Sequence, residues 1–130
     1  MKGRLIAYWV TTGLVAFGLL TGGAADVMRP PDAVAGMAHL GYPAYFMVIL
    51  GVWKLLGGIA LLAPRFPRLK EWAYAGAIFD VTGASASHAA SGDAAWHIIV
   101  PLLLAAIAMV SWALRPESRV LGTILPARKA

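Results

Sequence analysis

The chain has 130 residues, of which 60% are hydrophobic and only 13% are charged, whereas soluble domains carry about 25% charged residues. This composition excludes an ordinary soluble globule, and the absence of cysteine excludes disulfides, thiolate-bound iron–sulfur clusters and cysteine nucleophiles. The net charge of +5 would favour nucleic acid in a soluble chain, but here the basic residues lie between apolar runs. We therefore interpret them as signals of membrane topology and expect no nucleic-acid partner.

Four apolar runs are long enough to cross a hydrocarbon core of about 30 Å, which takes about 20 helical residues. In chain order they cover approximately residues 5–25, 43–63, 72–90 and 96–114. Between them lie a longer segment with the turn-forming sequence Arg-Pro-Pro-Asp, a short basic loop and a Ser-Gly-Asp turn. The sequence thus predicts an all-α protein, a four-helix transmembrane bundle that forms one domain over residues 1–130.

The distribution of basic residues predicts the orientation of this bundle. Nine of the eleven Lys and Arg residues fall on the side of the two termini: Lys2, Arg4, Arg65, Arg68, Lys70, Arg115, Arg119, Arg128 and Lys129. Arg29 falls on the opposite side, and Lys54 lies within a predicted helix. The positive-inside rule then places both the N- and C-termini in the cytoplasm.

Small and aromatic residues fit the same interpretation. Small residues at helical spacing, which let membrane helices approach closely, include Gly18, Gly22, Gly51, Gly58, Gly76 and Gly83. Aromatic residues near the predicted interfaces, which are typical of an aromatic belt, are Trp9, Tyr45, Trp72, Trp96 and Trp112. Pro101 interrupts the last apolar run, where we expect it to kink the helix or weaken a backbone hydrogen bond.

Two opposite charges are predicted at one depth near the bilayer midplane. Lys54 lies ten residues before the basic loop and Asp80 nine residues after it, so each is about 14 to 15 Å from that loop. Because a short loop makes the two helices antiparallel neighbours, we predict a Lys54–Asp80 pair inside the bundle. Such a pair either fixes the helix register or polarises a ligand or handles protons, since intramembrane charges are costly and often functional.

A third candidate, His88, lies about 12 Å beyond Asp80, towards the non-cytoplasmic side. We expect it to titrate in a vestibule at that membrane face and to pass protons or hydrogen bonds inward. The other titratable residues predicted at this face are Asp26, Asp32, His39, Asp93 and His97. Their spacing matches no close metal-binding motif, so no metal site is predicted.

Three segments resemble the DoxX-like family of small bacterial membrane proteins. They are Gly-Val-Trp-Lys-Leu-Leu-Gly-Gly around Lys54, Lys-Glu-Trp-Ala-Tyr-Ala-Gly at residues 70–76, and Ser-x-Ser-His-x-x-x-Gly-Asp ending at Asp93. The resemblance implies a four-helix protein of the bacterial inner membrane, in which Lys54, His88, Gly92 and Asp93 match motif positions. The wider group takes its name from a subunit associated with thiosulfate:quinone oxidoreduction, and some relatives are linked to membrane redox complexes.

Three functions remain open at this point. In the first, the bundle binds a small quinone- or isoprenoid-like molecule as an accessory part of a membrane redox system. In the second, it is a membrane-embedded acid/base enzyme, an isomerase or hydrolase, with Lys54, Asp80 and His88 as catalytic residues. In the third, it is a structural subunit that packs against a membrane protein partner or another copy of itself. In each case the bilayer is a partner.

Overall fold

The computed structural model describes residues 1–120, and every regular element in that part of the chain is helical. The α-helices are α1 (Lys2–Met28), α2 (Pro31–His39), α3 (Ala44–Leu62), α4 (Pro67–Ala90) and α5 (Ala95–Ala113), followed by a short 3₁₀ turn, Glu117–Arg119. The all-α prediction is confirmed. Two of the basic residues used for the topology prediction, Arg128 and Lys129, lie outside the described residues.

The predicted apolar runs correspond to α1, α3, α4 and α5, but the segment between the first two contains a helix that the sequence analysis treated as a connector. Pro31 occupies the first turn of α2, where its fixed φ angle suits a helix start, and Asp32 in the same turn favours the helix dipole. With nine residues, α2 is too short to span a bilayer, so a search for long apolar runs does not find it.

Three helices, α1, α3 and α5, are long and apolar enough to cross a membrane. The fourth long helix, α4, has 24 residues but is more polar. Its first two turns contain Arg68, Lys70 and Glu71, and its second half contains Asp80, Thr82, Ser85, Ser87 and His88. This composition explains why α4 does not qualify as a span by the same measure.

The four long helices contact one another in the cyclic order α1, α3, α4, α5. The closest approach is between α1 and α3, where a Cβ atom added to Gly23 would lie 2.8 Å from the Gly51 carbonyl oxygen. Between α4 and α5, the Ser85 hydroxyl donates a hydrogen bond of 2.8 Å to the Ile98 carbonyl, three residues before Pro101. Since α3 and α4 pack less extensively than α1 and α3, the fold is most open along the α3–α4 pair.

The end of the molecule where α1 begins and α3 meets α4, here called the basic end, is closed by polar contacts. The Lys70 ammonium is fully buried and donates to the carbonyls of Ala60 and Ala63, at the end of α3. Arg119 donates to the Leu61 carbonyl at 3.0 Å. Cations near a helix C-terminus satisfy its unpaired carbonyls and favour its dipole. Some residues interpreted only as topology signals are therefore also parts of the core.

A buried hydroxyl cluster lies next to this end. The Ser111 hydroxyl is within 2.6 Å of the Thr12 hydroxyl and 2.7 Å of the Tyr74 hydroxyl, which joins α1, α4 and α5. In the described part of the chain, no buried side-chain nitrogen or oxygen lacks a hydrogen-bond partner. The buried polar side chains at the basic end are thus paired within the protein.

Candidate functional site

The candidate site is centred on Lys54, which lies about halfway along α3. Its Nζ atom is 2.9 Å from Asp26 Oδ2 on α1 and 3.7 Å from Asp80 Oδ2 on α4. The three side chains are between 15% and 20% exposed, so they are neither sealed in the core nor open on the surface. We call these three residues the Lys54 triad.

The position of Asp26 corrects the sequence analysis, which placed this residue in a vestibule at the membrane face. Helix α1 continues to Met28, three residues beyond the predicted end, so Asp26 lies on the helix one turn after Gly23. Because Gly23 and Gly51 bring the two backbones together, the Asp26 carboxylate reaches Lys54 and forms the shorter of its two ion pairs. The signal for this contact was the three-residue spacing between Gly23 and Asp26, which puts both on one helix face.

An apolar groove, here called the α3–α4 groove, begins at the Lys54 triad and runs between these two helices towards the basic end. It encloses about 310 Å³. Its lining is almost entirely apolar, apart from Lys54 and Asp80: Leu19, Leu50, Trp53, Lys54, Leu56, Gly57, Ala60, Leu69, Trp72, Ala73, Gly76, Ala77 and Asp80. Trp53 and Trp72 are 64% and 68% exposed, so the groove opens sideways on the outer face of the helix pair.

A second cavity of about 350 Å³, the α2 cavity, lies on the other side of the triad. Its lining combines apolar residues with polar ones: Asp26, Met37, Leu40, Tyr42, Phe46, Leu50, Lys54, Phe79, Asp80, Gly83, Ala84, Ser87 and His88. Leu50, Lys54 and Asp80 line both cavities. The triad therefore separates a mainly apolar compartment from a more polar one.

The structure places His88 on the α2 cavity, in the same lining as Lys54 and Asp80. Its Nδ1 atom is 2.6 Å from Asp93 Oδ2, and His39 Nε2 on α2 is 2.7 Å from Asp93 Oδ1. The His97 ring stacks on the His88 ring with 5.0 Å between centroids. We call His39, His88, Asp93 and His97 the histidine cluster.

Not all the titratable residues predicted at this face join the cluster. Asp32 lies exposed in the first turn of α2, and Asp26 belongs to the Lys54 triad. Among residues 1–120, no group of three or more His, Asp or Glu side chains is placed to hold a metal ion. The cluster instead connects α2 to the turn between α4 and α5, which holds α2 beside the α2 cavity.

The histidine cluster that joins α2 to the turn between α4 and α5 depends on pH. Asp93 lies in the turn between α4 and α5, where hydrogen bonds from His88 and His39 hold the pKa of its carboxyl below the ordinary value. A carboxylate whose pKa is lowered by folding stabilises the folded state above its ordinary pKa, and this contribution is lost as the pH falls through the folded-state pKa. The contribution is therefore complete at neutral pH and disappears in acid.

Replacing Asp93 by asparagine tests this connection. We expect Asp93→Asn to lower the thermal unfolding temperature at neutral pH, because the amide cannot replace a charged acceptor for two histidines. The difference from the wild type should shrink as the pH falls below the ordinary range of an aspartate. Thermal unfolding in detergent across a pH series measures this, with Asp32→Asn as the control at an exposed position. A difference that persists unchanged in acid would contradict the assignment.

Apolar helices, an open groove between two of them and a partly buried charged triad together indicate a helical membrane protein. The chain belongs to the DoxX-like family, whose family model matches residues 10–111 and so includes the triad and the histidine cluster. It is also similar to the uncharacterized protein YdgD of Bacillus subtilis (strain 168), with 32% identity over 85 residues, or 65% of this chain and 73% of that protein. No solved structure matches the chain.

Proposed function

We propose that this chain is a multi-pass protein of the bacterial inner membrane that binds a small quinone- or isoprenoid-like molecule in the α3–α4 groove. In this proposal α4 is a fourth transmembrane helix beside α1, α3 and α5, and both termini are cytoplasmic. The position of α4 between α3 and α5 supports the fourth span, since these neighbours shield much of the polar side of α4 from lipid. The basic residues at the cytoplasmic end support the orientation.

The observation that carries the ligand proposal is that the α3–α4 groove is lined by apolar residues and has charged residues at one end. Ligand sites are usually apolar compartments with a few convergent polar groups, and this groove is apolar along its length and ends at Lys54 and Asp80. Its sideways opening, flanked by the exposed Trp53 and Trp72, would let a molecule dissolved in the bilayer enter from the lipid. A tail would lie in the groove and a polar head at the triad.

An accessory role in a membrane redox system is part of this proposal, and the composition of the chain limits how it could act in one. Without cysteine, the chain has no thiol or disulfide couple of its own. Electrons would have to be carried by the bound molecule or by a partner protein, so this chain would hold or deliver the carrier.

A second candidate function, acid/base catalysis, is favoured by one observation. The α2 cavity brings His88 to the same compartment as Lys54 and Asp80, so a molecule with its head there would meet a histidine and a carboxylate. Under this alternative, Asp80→Asn and His88→Ala would abolish a pH-dependent turnover while the molecule still binds. Under the third alternative, a structural subunit, changes at the triad would affect assembly and leave no bound molecule to detect.

Native mass spectrometry of protein extracted gently from its own membrane tests the ligand proposal. The test variant is Gly76→Leu, because Gly76 lines the groove and an added Cβ there meets no atom within 4 Å. The new side chain would enter the groove, and its Cβ atom would contact no neighbouring helix. We expect a retained small molecule on the wild type and about tenfold less of it on Gly76→Leu, as overfilling a site costs roughly 1 to 3 kcal/mol.

The matched control is Gly13→Leu, an equivalent change at a glycine of α1 that also has no neighbour within 4 Å and lines neither cavity. It should retain the molecule at the wild-type level. Equal retention by both variants would show that the molecule lies elsewhere on the protein, and a wild type with no retained molecule would argue for the structural alternative.

A further inference from the structure

The hydrogen-bond partners around the α2 cavity indicate which kind of head group the site accepts. Lys54 directs hydrogen bonds or ion pairs to Asp26 Oδ2 and Asp80 Oδ2, so the triad contains two carboxyl groups and one ammonium group. No hydrogen bond in the described part of the chain uses the second oxygen, Oδ1, of either aspartate. Because no buried side-chain oxygen there lacks a partner, neither Oδ1 atom is fully buried, and both aspartates line the α2 cavity.

The hydroxyl groups of the cavity have their hydrogens engaged. Ser87 donates to the Gly83 carbonyl at 2.8 Å, so its oxygen must accept the 2.7 Å hydrogen bond that it shares with Tyr42. The Tyr42 hydroxyl is therefore the donor in its hydrogen bond with Ser87. Neither hydroxyl keeps a hydrogen for a ligand, although both oxygens retain lone pairs.

His88 also offers the α2 cavity a hydrogen-bond acceptor. A carboxylate only accepts hydrogen bonds, so the 2.6 Å contact with Asp93 places the proton of His88 on Nδ1. In the neutral ring this leaves Nε2 as an acceptor. Apart from the Lys54 ammonium, which makes one hydrogen bond, to Asp26, the polar groups that line the α2 cavity thus present acceptors.

We infer that the bound molecule has a head group that donates hydrogen bonds and carries no negative charge: an alcohol, a phenol or hydroquinone, or an amine. This inference rests on the proposed function, which supplies the apolar tail in the α3–α4 groove. A hydroxyl suits the triad because its oxygen can accept from Lys54 while its hydrogen is donated to Asp80. A phosphate or carboxylate would face two aspartates with one ammonium already shared between them.

A matched series with one tail and different heads tests this inference: farnesol, farnesyl methyl ether and farnesyl diphosphate. Binding to the protein in lipid nanodiscs is followed by the fluorescence of Trp53 and Trp72, which line the groove. Empty nanodiscs correct for partition into lipid, and a Trp53→Phe/Trp72→Phe variant identifies the signal from the groove.

We expect farnesol to bind about fivefold to tenfold more tightly than the ether, the difference that one hydrogen bond makes, and the diphosphate to bind weakest. In an Asp26→Asn/Asp80→Asn variant the diphosphate should gain affinity, because the repulsive charges are gone and the Lys54 ammonium is left without a charged partner. Equal binding of alcohol and ether, or tightest binding of the diphosphate, would overturn the inference and leave the groove intact as a site. Absence of any groove signal from all three compounds would overturn the proposed function and the inference with it.

Discussion

Replacing Lys54 by methionine is expected to lower the free energy of unfolding by about 3 kcal/mol. Removal of one partner from a buried ion pair typically costs 3 to 5 kcal/mol, because the remaining charges lose their compensation. The lower end applies here, since about a fifth of the Lys54 side chain reaches the cavities. Asp26 and Asp80 would then face each other across the vacated position. Unfolding by SDS in mixed micelles measures the effect.

Two further variants separate the charge effect from simple loss of a side chain. Lys2→Met makes the same chemical change at an exposed residue and should leave stability unchanged. The triple variant Lys54→Met/Asp26→Leu/Asp80→Leu should recover most of the loss, since a buried ionic group can be replaced by apolar residues at little cost. If Lys54→Met were as stable as the wild type, the triad could not be a buried electrostatic unit.

The second large effect is expected at the contact between α1 and α3. A Cβ atom on Gly23 would lie 2.8 Å from the Gly51 carbonyl oxygen and 2.9 Å from the Lys54 Cβ atom, which are distances that require the helices to separate. We expect Gly23→Ala to cost about 1 to 3 kcal/mol, the usual range for overpacking. It should also weaken the Lys54–Asp26 contact, which depends on this close approach.

Gly13→Ala is the control for this prediction, because nothing lies within 4 Å of a Cβ at that position. It should leave stability unchanged or raise it, as alanine favours a helix more than glycine does. The double variant Gly23→Ala/Gly51→Ala should cost less than the sum of its single changes, since the first substitution already separates the helices. Tolerance of Gly23→Ala at the wild-type level would mean that α1 and α3 do not meet as described.

Arithmetic along the helices predicted part of the site. Counting residues from the basic loop placed Lys54 and Asp80 at one depth on neighbouring helices, and the structure has them 3.7 Å apart. This reasoning did not predict the contact of Asp26, because the end of a helix is the least certain feature of an apolar run. Helix α1 is three residues longer than predicted, which places Asp26 on the helix next to Lys54. Residue spacing fixes depth along a helix, whereas the rotation of the helix and its true end decide which side chains meet.

The grooves and the polar closure of the basic end could not be predicted in the same way. In the sequence, Lys70 and Arg119 look like ordinary positive-inside residues. Their hydrogen bonds to carbonyls of α3 depend on where that helix ends in space, which the sequence does not give. The α3–α4 groove arises from small residues such as Gly57, Ala73 and Gly76 that face each other across two helices. Such a gap depends on side-chain packing between distant segments, which no local pattern records.

Mapping the position of a bound molecule tests the central claim most directly. A farnesol analogue with a photoreactive diazirine in its tail would be cross-linked to the protein in membranes, and the labelled residues identified by peptide mass spectrometry. We predict labels on groove residues such as Leu50, Leu56 and Ala73, with competition by unmodified farnesol. Labels concentrated instead on the exposed face of α5, at residues such as Ile99 and Leu103, and insensitive to competition would contradict the account.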